Sequence, residues 1–351
     1  MVRNACQLKT DEEIKTVKLE NRHASIDVRP LGAMIDSAVF HLSDGRSVSP
    51  FFRAPWRGVD DPRKAVLPAL LRDLGAEWAC VPFGGPGARG DLPDEWQPNL
   101  TIADWDEHPH GLSSNHDWHL AKLGSGALRA EILYPPKAPI ERLVREIRLD
   151  PDRAALQLSL EIHARRACRV PVGLHPIFDL VGLTPESAFL EIPQASKAWT
   201  FPIDVEPNRS RFMPDQRAAD FSRLETGQGR VDIRPVPFNT ASEDLVLLTN
   251  ISDGLALCVP TRGYRVRVDW DRSMLPNCLL WFSNGGRDTY PWNGVTSAIG
   301  IEPTAAAFDL GLGYSLANDT PLAKHGVCTA VELSPERSWN THYSIEVSGL
   351  K

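Results

Sequence analysis

Three polar clusters interrupt apolar stretches of this chain, at places where side chains could move protons or hold a ligand. The first, HPHGLSSNHDWHL, sets His108, His110, His116 and His119 within twelve residues, with Asp117 and Trp118 among them. Imidazole is the commonest protein metal ligand and the side chain whose charge changes nearest neutral pH. HExxH is absent, and Pro109, Gly111 and residues 113–115 read as loop. Three uses therefore stay open: a catalytic or ligand-binding histidine, a plain polar loop, and a metal site. The second cluster is VPVGLHPIFDL, where an apolar run ends at His175-Pro176. The proline restricts His175 to extended backbone, so its imidazole is aimed from a strand end. In the third, IGIEPTAAAFD, Glu302 ends an apolar strand before Pro303. A carboxylate there is a solvated strand end or a general base.

Strands must position these groups. In AALQLSLEIHA (154–164), Leu156, Leu158, Leu160 and Ile162 alternate with Gln157, Ser159, Glu161 and His163. A helix would scatter those leucines around its axis, so the period of two predicts a half-buried strand. GYRVRVDW (263–270) and HYSIEV (342–347) repeat the pattern. Further strands are expected over 24–29, 34–42, 128–133, 143–149, 168–174, 245–251, 255–260, 277–282 and 297–301. The 25 glycines and 29 prolines break helical runs, and the clearest helical candidate, 62–71, itself contains Pro68. Many strands without alternating long helices predict an all-β fold, a large antiparallel β-sandwich. The Pro/Gly/Arg-rich stretches 82–98 and 201–242 read as loops and separate no halves of different composition, so residues 1–351 are expected to form a single domain.

Composition removes several classes. With 38 Lys+Arg against 45 Asp+Glu the net charge is −7, and no basic cluster exists to attract nucleic acid or an anionic membrane surface. The 42% apolar content supplies a core and excludes wholesale disorder. No run of about 18 apolar residues reads as a membrane span, and the first residues show no secretory h-region. Six scattered cysteines, Cys6, Cys80, Cys168, Cys258, Cys278 and Cys328, form no CxxC pair. They read as reduced thiols, which with the missing secretory signal predicts a cytoplasmic protein.

Taken in order, the polar clusters resemble the motifs of the aldose 1-epimerase (galactose mutarotase) family. The matching segments are His110-Gly111, His175-Pro176-Ile177-Phe178, VDWD around Asp269, and Ile301-Glu302-Pro303. FGGPGAR (83–89) resembles the family's FGRxxNR loop and would place Arg89 on its sugar-binding arginine. Gly85 and Ala88 stand where that loop has its first arginine and its asparagine. Trp118, eight residues after His110, resembles the tryptophan of the hexose-6-phosphate mutarotase branch, but Ser114 stands where that branch has an arginine. The resemblance extends from the first strands to about residue 310 and implies the galactose mutarotase-like β-sandwich.

It also implies a reaction, the interconversion of α and β anomers of a free, unphosphorylated sugar. That reaction needs a proton given to the ring oxygen and one taken from the C1 hydroxyl, so one acid and one base suffice, without metal or other cofactor. By the resemblance Glu302 is the base and His175 the acid, His110 assists at the ring oxygen, and Arg89, Asp269 and Trp118 hold the sugar. A non-catalytic carbohydrate-binding protein on the same fold would not need both His175 and Glu302. A glycoside hydrolase would need a carboxylate pair, for which Asp269 and Glu302 are the candidates.

Overall fold

The computed structural model describes residues 16–98 and 105–350, which leaves Cys6 outside the described residues. Two large antiparallel sheets carry the architecture. Tyr264–Trp270, Trp339–Gly349, Ala155–Ala164 and Ile140–Leu149 lie side by side in the middle of a nine-stranded sheet. Ser242–Thr249, Asn277–Asn284 and Ser297–Ala305 form the middle of an eight-stranded sheet, flanked by Lys197–Thr200 on one side and Val172–Leu174 on the other. A four-stranded sheet built from Val17–Glu20, Ala24–Val28, Ile35–His41 and Ser47–Val48 adds its apolar side chains to the same core. No helix among the described residues is long and apolar enough to cross a membrane.

The two large sheets read differently in sequence because they are covered differently. In the nine-stranded sheet Leu156, Leu158, Leu160 and Ile162 are buried while Gln157, Ser159, Glu161 and His163 are half-exposed. One face meets the core and the other meets solvent. The eight-stranded sheet is buried on both faces: every residue of Ser242–Thr249 is buried. Val246, Leu248, Leu280, Phe282, Ile299 and Ile301 point into the core shared with the nine-stranded sheet. Their neighbours Leu245, Leu247, Leu279, Trp281 and Ala298 point the other way, into a second cluster roofed by Trp56, Leu70, Leu74 and Trp292. Period two therefore assigns Gly300 and Glu302, in step with Ala298, to the second cluster.

Four expectations shift in detail. The 168–174 strand breaks at Pro171 into Cys168–Val170, paired with Val331–Leu333, and Val172–Leu174 in the large sheet. The helix expected over 62–71 is a 3-10 turn, Pro62–Val66, then one α turn, Ala69–Arg72, because Pro68 cannot donate through the middle. The 297–301 strand runs on through Pro303 to Ala305, so Glu302 sits inside a strand rather than at its end. Within 201–242, short strands such as Leu224–Thr226 and Gly229–Val231 replace the expected continuous loop.

Candidate active site

The second face of the eight-stranded sheet floors a small pocket that opens to solvent. Register explains how His175 and Glu302 meet there. Val172–Leu174 pairs with Ser297–Ala305 at Val172↔Ala305 and Gly173↔Thr304, and Ile177–Asp179 resumes on the same strand at Ile177↔Gly300. His175 and Pro176 fall in the break, opposite residues 301–303. The break is fixed by Ile301 N–H donating to Pro176 O at 3.1 Å and His175 N–H donating to Trp78 O at 2.9 Å. Across it, His175 Nδ1 lies 3.5 Å from Glu302 Oε1. Both residues are buried, and neither atom has a hydrogen-bond partner.

His110 reaches the same point from a different loop. Its backbone is left-handed (φ 56°), with its N–H donating to Gly84 O at 2.8 Å. At Gly111 (φ 82°) a Cβ would stand 2.2 Å from Val81 O, so only glycine lets the loop press against 81–82. The His110 ring sits edge-on to Phe83 and to His175, with centroids at 5.0 and 5.3 Å, and its Nδ1 is buried without a partner. Trp78 stacks on the His175 imidazole at 4.2 Å and 17° and fixes the ring plane, while its own Nε1 has no partner.

Burial sets the protonation states. It pushes Glu302 well above the ordinary carboxylate range, with the Asp309 charge adding to the effect. It pushes His175 well below the ordinary imidazole range, with His110 adding, and lowers His110 to about 4. The proton of the pair therefore sits on the carboxyl, facing neutral imidazoles.

A glycine makes room for that carboxyl. On Ser297–Ala305, Gly300 precedes Glu302 on the same face, and a Cβ at 300 would stand 2.3 Å from Glu302 Oε1 and 3.1 Å from Trp281 Cβ. Gly300→Ala is expected to leave the sheet intact and turn the carboxyl out of line with His175. Whatever turnover the pocket supports should drop by at least ~10-fold, a loss typical of an ångström-scale misplacement, with unchanged near-UV circular dichroism as the check on the fold.

Of the other residues singled out by sequence, none lines this pocket. The Arg89 guanidinium turns to Asp91, at 2.9 Å, and lies over the Phe201 ring. Trp118 is fully buried in the main core, its Nε1 donating to Ser113 O at 2.8 Å. Asp269 is on the nine-stranded sheet, where Val268 and Trp270 take the core face and leave it the solvent face; it pairs with Arg272 at 2.7 Å. That removes Asp269 and Glu302 as a pair flanking one bond. In the histidine loop only His110 lines the pocket: His108 Nδ1 is held by Asp106 at 2.8 Å, and His116 and His119 are exposed. Among the described residues no three His, Cys, Asp or Glu side chains are grouped to hold a metal.

Two further pocket residues have no role in the sequence reading: Arg287 lies outside its clusters, and Asp309 ends the third of them, IGIEPTAAAFD. Arg287 follows strand Asn277–Asn284 in a Gly/Pro/Trp loop. Its Nε lies 3.0 Å from Glu206 and 3.2 Å from Glu243, and its guanidinium covers the rings of Trp292 and Trp281. Asp309, seven residues after Glu302, has a buried Oδ1 without a partner, while its backbone oxygen accepts from Gly85 N–H. A charged residue amid the tryptophans of 281–292 is the one signal that could have marked Arg287.

No protein-family model and no curated protein matches the chain. Solved structures do. A putative aldose 1-epimerase from Escherichia coli K12 superposes with a TM-score of 0.62 at 14% identity, covering 96% of this chain and 99% of that one. A GalM/aldose epimerase homologue from C. elegans gives 0.61 at 13% identity, over 96% and 99%. A galactose mutarotase-like protein from Clostridium acetobutylicum gives 0.59 at 14%, over 96% of both chains. The chain thus has the galactose mutarotase-like sandwich fold, and its structural neighbours include aldose 1-epimerase-like and mutarotase-like proteins.

Proposed function

We propose that the protein is an aldose 1-epimerase, interconverting the anomers of an unphosphorylated sugar by acid/base ring opening. The observation that carries this reading is the convergence of Glu302 and His175, 3.5 Å apart and each with an unpartnered buried atom, beside His110. A binding protein gains nothing from two buried titratable groups left unsatisfied, because each costs about 1–3 kcal/mol; a proton-transfer site requires them free for substrate.

In the mechanism, sugar hydroxyls replace the missing partners. Hydrogen bonds to the Glu302 carboxylate favour its charged form and move the shared proton to His175, with no change in the pair's total charge. Glu302 then takes the C1 hydroxyl proton while His175 protonates the ring oxygen, assisted by His110. The ring opens, C1 turns, and the same groups act in reverse. The hydroxyl-holding roles expected of Arg89, Asp269 and Trp118 pass to Arg287, Asp309 and the Trp78 N–H. The test is exchange between freshly dissolved anomers followed by proton NMR, with Glu302→Gln as the inactive control; wild-type rates equal to buffer alone across a panel of aldoses sink the reading.

The preference against phosphate rests on charge. Ser114 is fully buried and its hydroxyl donates to His110 O at 2.6 Å, so it offers nothing to a ligand. Arg287 is already paired with Glu206 and Glu243, Arg89 with Asp91, and Asp309 stands unpaired in the pocket. A hexose is expected to beat its 6-phosphate by at least ~10-fold in kcat/KM, the reverse of what free arginine forks would give. A tenfold preference for the phosphate refutes this assignment.

A further inference from the structure

Resting on that reading, we infer that Glu243 is a positioning residue: from behind the pocket it holds Arg287 as a charge-balanced hydroxyl donor, and so reserves the site for neutral sugars. Glu243 precedes Leu245 and Leu247 on the face of Ser242–Thr249 that floors the pocket, and its side chain is fully buried. A glutamate is almost never buried this deeply unless it is paired. Two of its partners are pocket residues. Trp281 Nε1–H donates to Oε1 at 2.5 Å, the Ser283 hydroxyl donates to Oε2 at 3.0 Å, and Arg287 Nε lies 3.2 Å from Oε1. Gly286 lets the arginine arrive there. A Cβ at 286 would stand 2.4 Å from the Ser242 carbonyl carbon and 2.6 Å from Glu243 N, so only glycine brings the loop down onto the strand.

This anchoring leaves the outer end of Arg287 free. Its one hydrogen bond to protein among the described residues runs from Nε to Glu206 at 3.0 Å, so both terminal nitrogens remain open as donors. The guanidinium lies over the rings of Trp292 and Trp281, at 4.9 and 5.6 Å. A fork held by its inner edge in this way can donate to sugar hydroxyls, while the carboxylates on that edge offset the charge that would attract a phosphate. Glu243 contributes to that balance only when ionised. Burial raises its carboxyl to about 7, against the opposing pull of Arg287, and the Glu206 charge adds to the rise. Above that pH the arginine sits between two carboxylates; below it, only the half-exposed Glu206 remains to balance it. Glu243→Gln copies the protonated state: the amide oxygen can still accept from Trp281 and the amide nitrogen can donate to Ser283, but the charge is gone. His110, near 4, and Asp309 also feel the Arg287 charge, so the variant is needed to assign the titration.

The experiment measures binding by calorimetry and anomer exchange by NMR for D-galactose, D-glucose and D-mannose, with wild type and Glu243→Gln between pH 6 and 8. Their 6-phosphates are compared at pH 8. For the free sugar that binds, wild-type Kd and KM are expected to rise roughly 3- to 10-fold from pH 8 to pH 6, the scale of one lost charge interaction. In Glu243→Gln both should stay near the wild-type pH 6 value throughout, which assigns the titration to Glu243. At pH 8 the variant should bind the free sugar more weakly and the 6-phosphate more tightly, narrowing their ratio by about tenfold. General damage to the site would instead weaken both. A second readout needs no folded variant: the Trp281 indole N–H resonance, bonded to this carboxylate, should shift with the same midpoint as Kd. A wild-type Kd flat from pH 6 to 8, an indole midpoint elsewhere, or a variant that weakens both sugars alike overturns the role of Glu243. The expected binding shifts without exchange support that role and remove the reaction; exchange without those shifts does the reverse. Absence of both binding and exchange, for every sugar, overturns both.

Discussion

Glu302→Gln is expected to abolish anomer exchange and, at the same time, to raise the melting temperature at neutral pH. The amide keeps the shape of the side chain but can neither accept the C1 proton nor ionise. Loss of a positioned base alone removes ~10²–10⁴ in rate, and because the base and acid here act as one pair, the larger figure is expected. The stability change follows from linkage. Burial raises the carboxyl of Glu302 well above its ordinary value of 4.5, so the folded state holds the proton that the unfolded chain has released. Below pH 4.5 both states are protonated and the group is neutral for stability. As pH rises from 4.5 toward the folded value, the unfolded state gains by ionising and the native state loses ground. Glutamine removes that penalty. The variant's gain in melting temperature should therefore be small at pH 5 and grow to a few degrees or more by pH 8, given that about 1 kcal/mol shifts a domain of this size by roughly 2–4 °C or less. A variant that melts below wild type at pH 8, or retains near-normal kcat, contradicts the picture of a buried carboxyl held for use.

How much of this was readable from the chain depends on whether a residue's role is set locally or by packing. Ala155–Ala164 and Tyr264–Trp270 were readable because a sheet with one wet face must alternate. Ser242–Thr249 and Asn277–Asn284 carry near-continuous apolar runs, and the same logic marks them as covered on both faces, which is where a pocket can form. His110, His175 and Glu302 stood out because glycine or proline beside each fixes the local backbone, and that local constraint is visible in sequence. Arg89, Asp269 and Trp118 carried the right residue types, yet each finds another partner in space: Asp91, Arg272 and the Ser113 carbonyl. Charge pairing and indole burial are decided by which loops fold over which sheet. Arg287, Asp309 and Trp78 were missed for the same reason. No spacing ties them to the histidines: Arg287 arrives on the loop after Asn277–Asn284, Asp309 just beyond Ser297–Ala305, and Trp78 just before Ala79–Cys80.

His175 and His110 should separate by pH as well as by rate. His175→Asn is expected to lower kcat by at least ~10², since the amide can hydrogen-bond the ring oxygen but not transfer a proton to it. KM should change less, because the contacts from Arg287, Asp309 and Trp78 remain. His110→Asn should cost less in kcat and alter the pH profile. Burial, with help from the Arg287 charge, lowers His110 to about 4, so it is neutral through the physiological range. When it protonates, a positive charge appears 5.3 Å, ring centre to ring centre, from His175, against which His175 cannot easily take up its own proton. Wild-type kcat should therefore be flat from about pH 6 to 8 and fall with an apparent midpoint near 4, while His110→Asn loses that acid limb. Stability moves in the same direction and must be separated from it. The unfolded His110 binds its proton at 6.5 and the folded one only near 4, so native stability declines as pH drops between those values. Near-UV circular dichroism, dominated by the buried tryptophans around the pocket, reports whether the fold survives at each pH. A wild-type acid limb that tracks the loss of that signal would assign the effect to unfolding; one that appears while the signal is intact, and vanishes in His110→Asn, places it in the site.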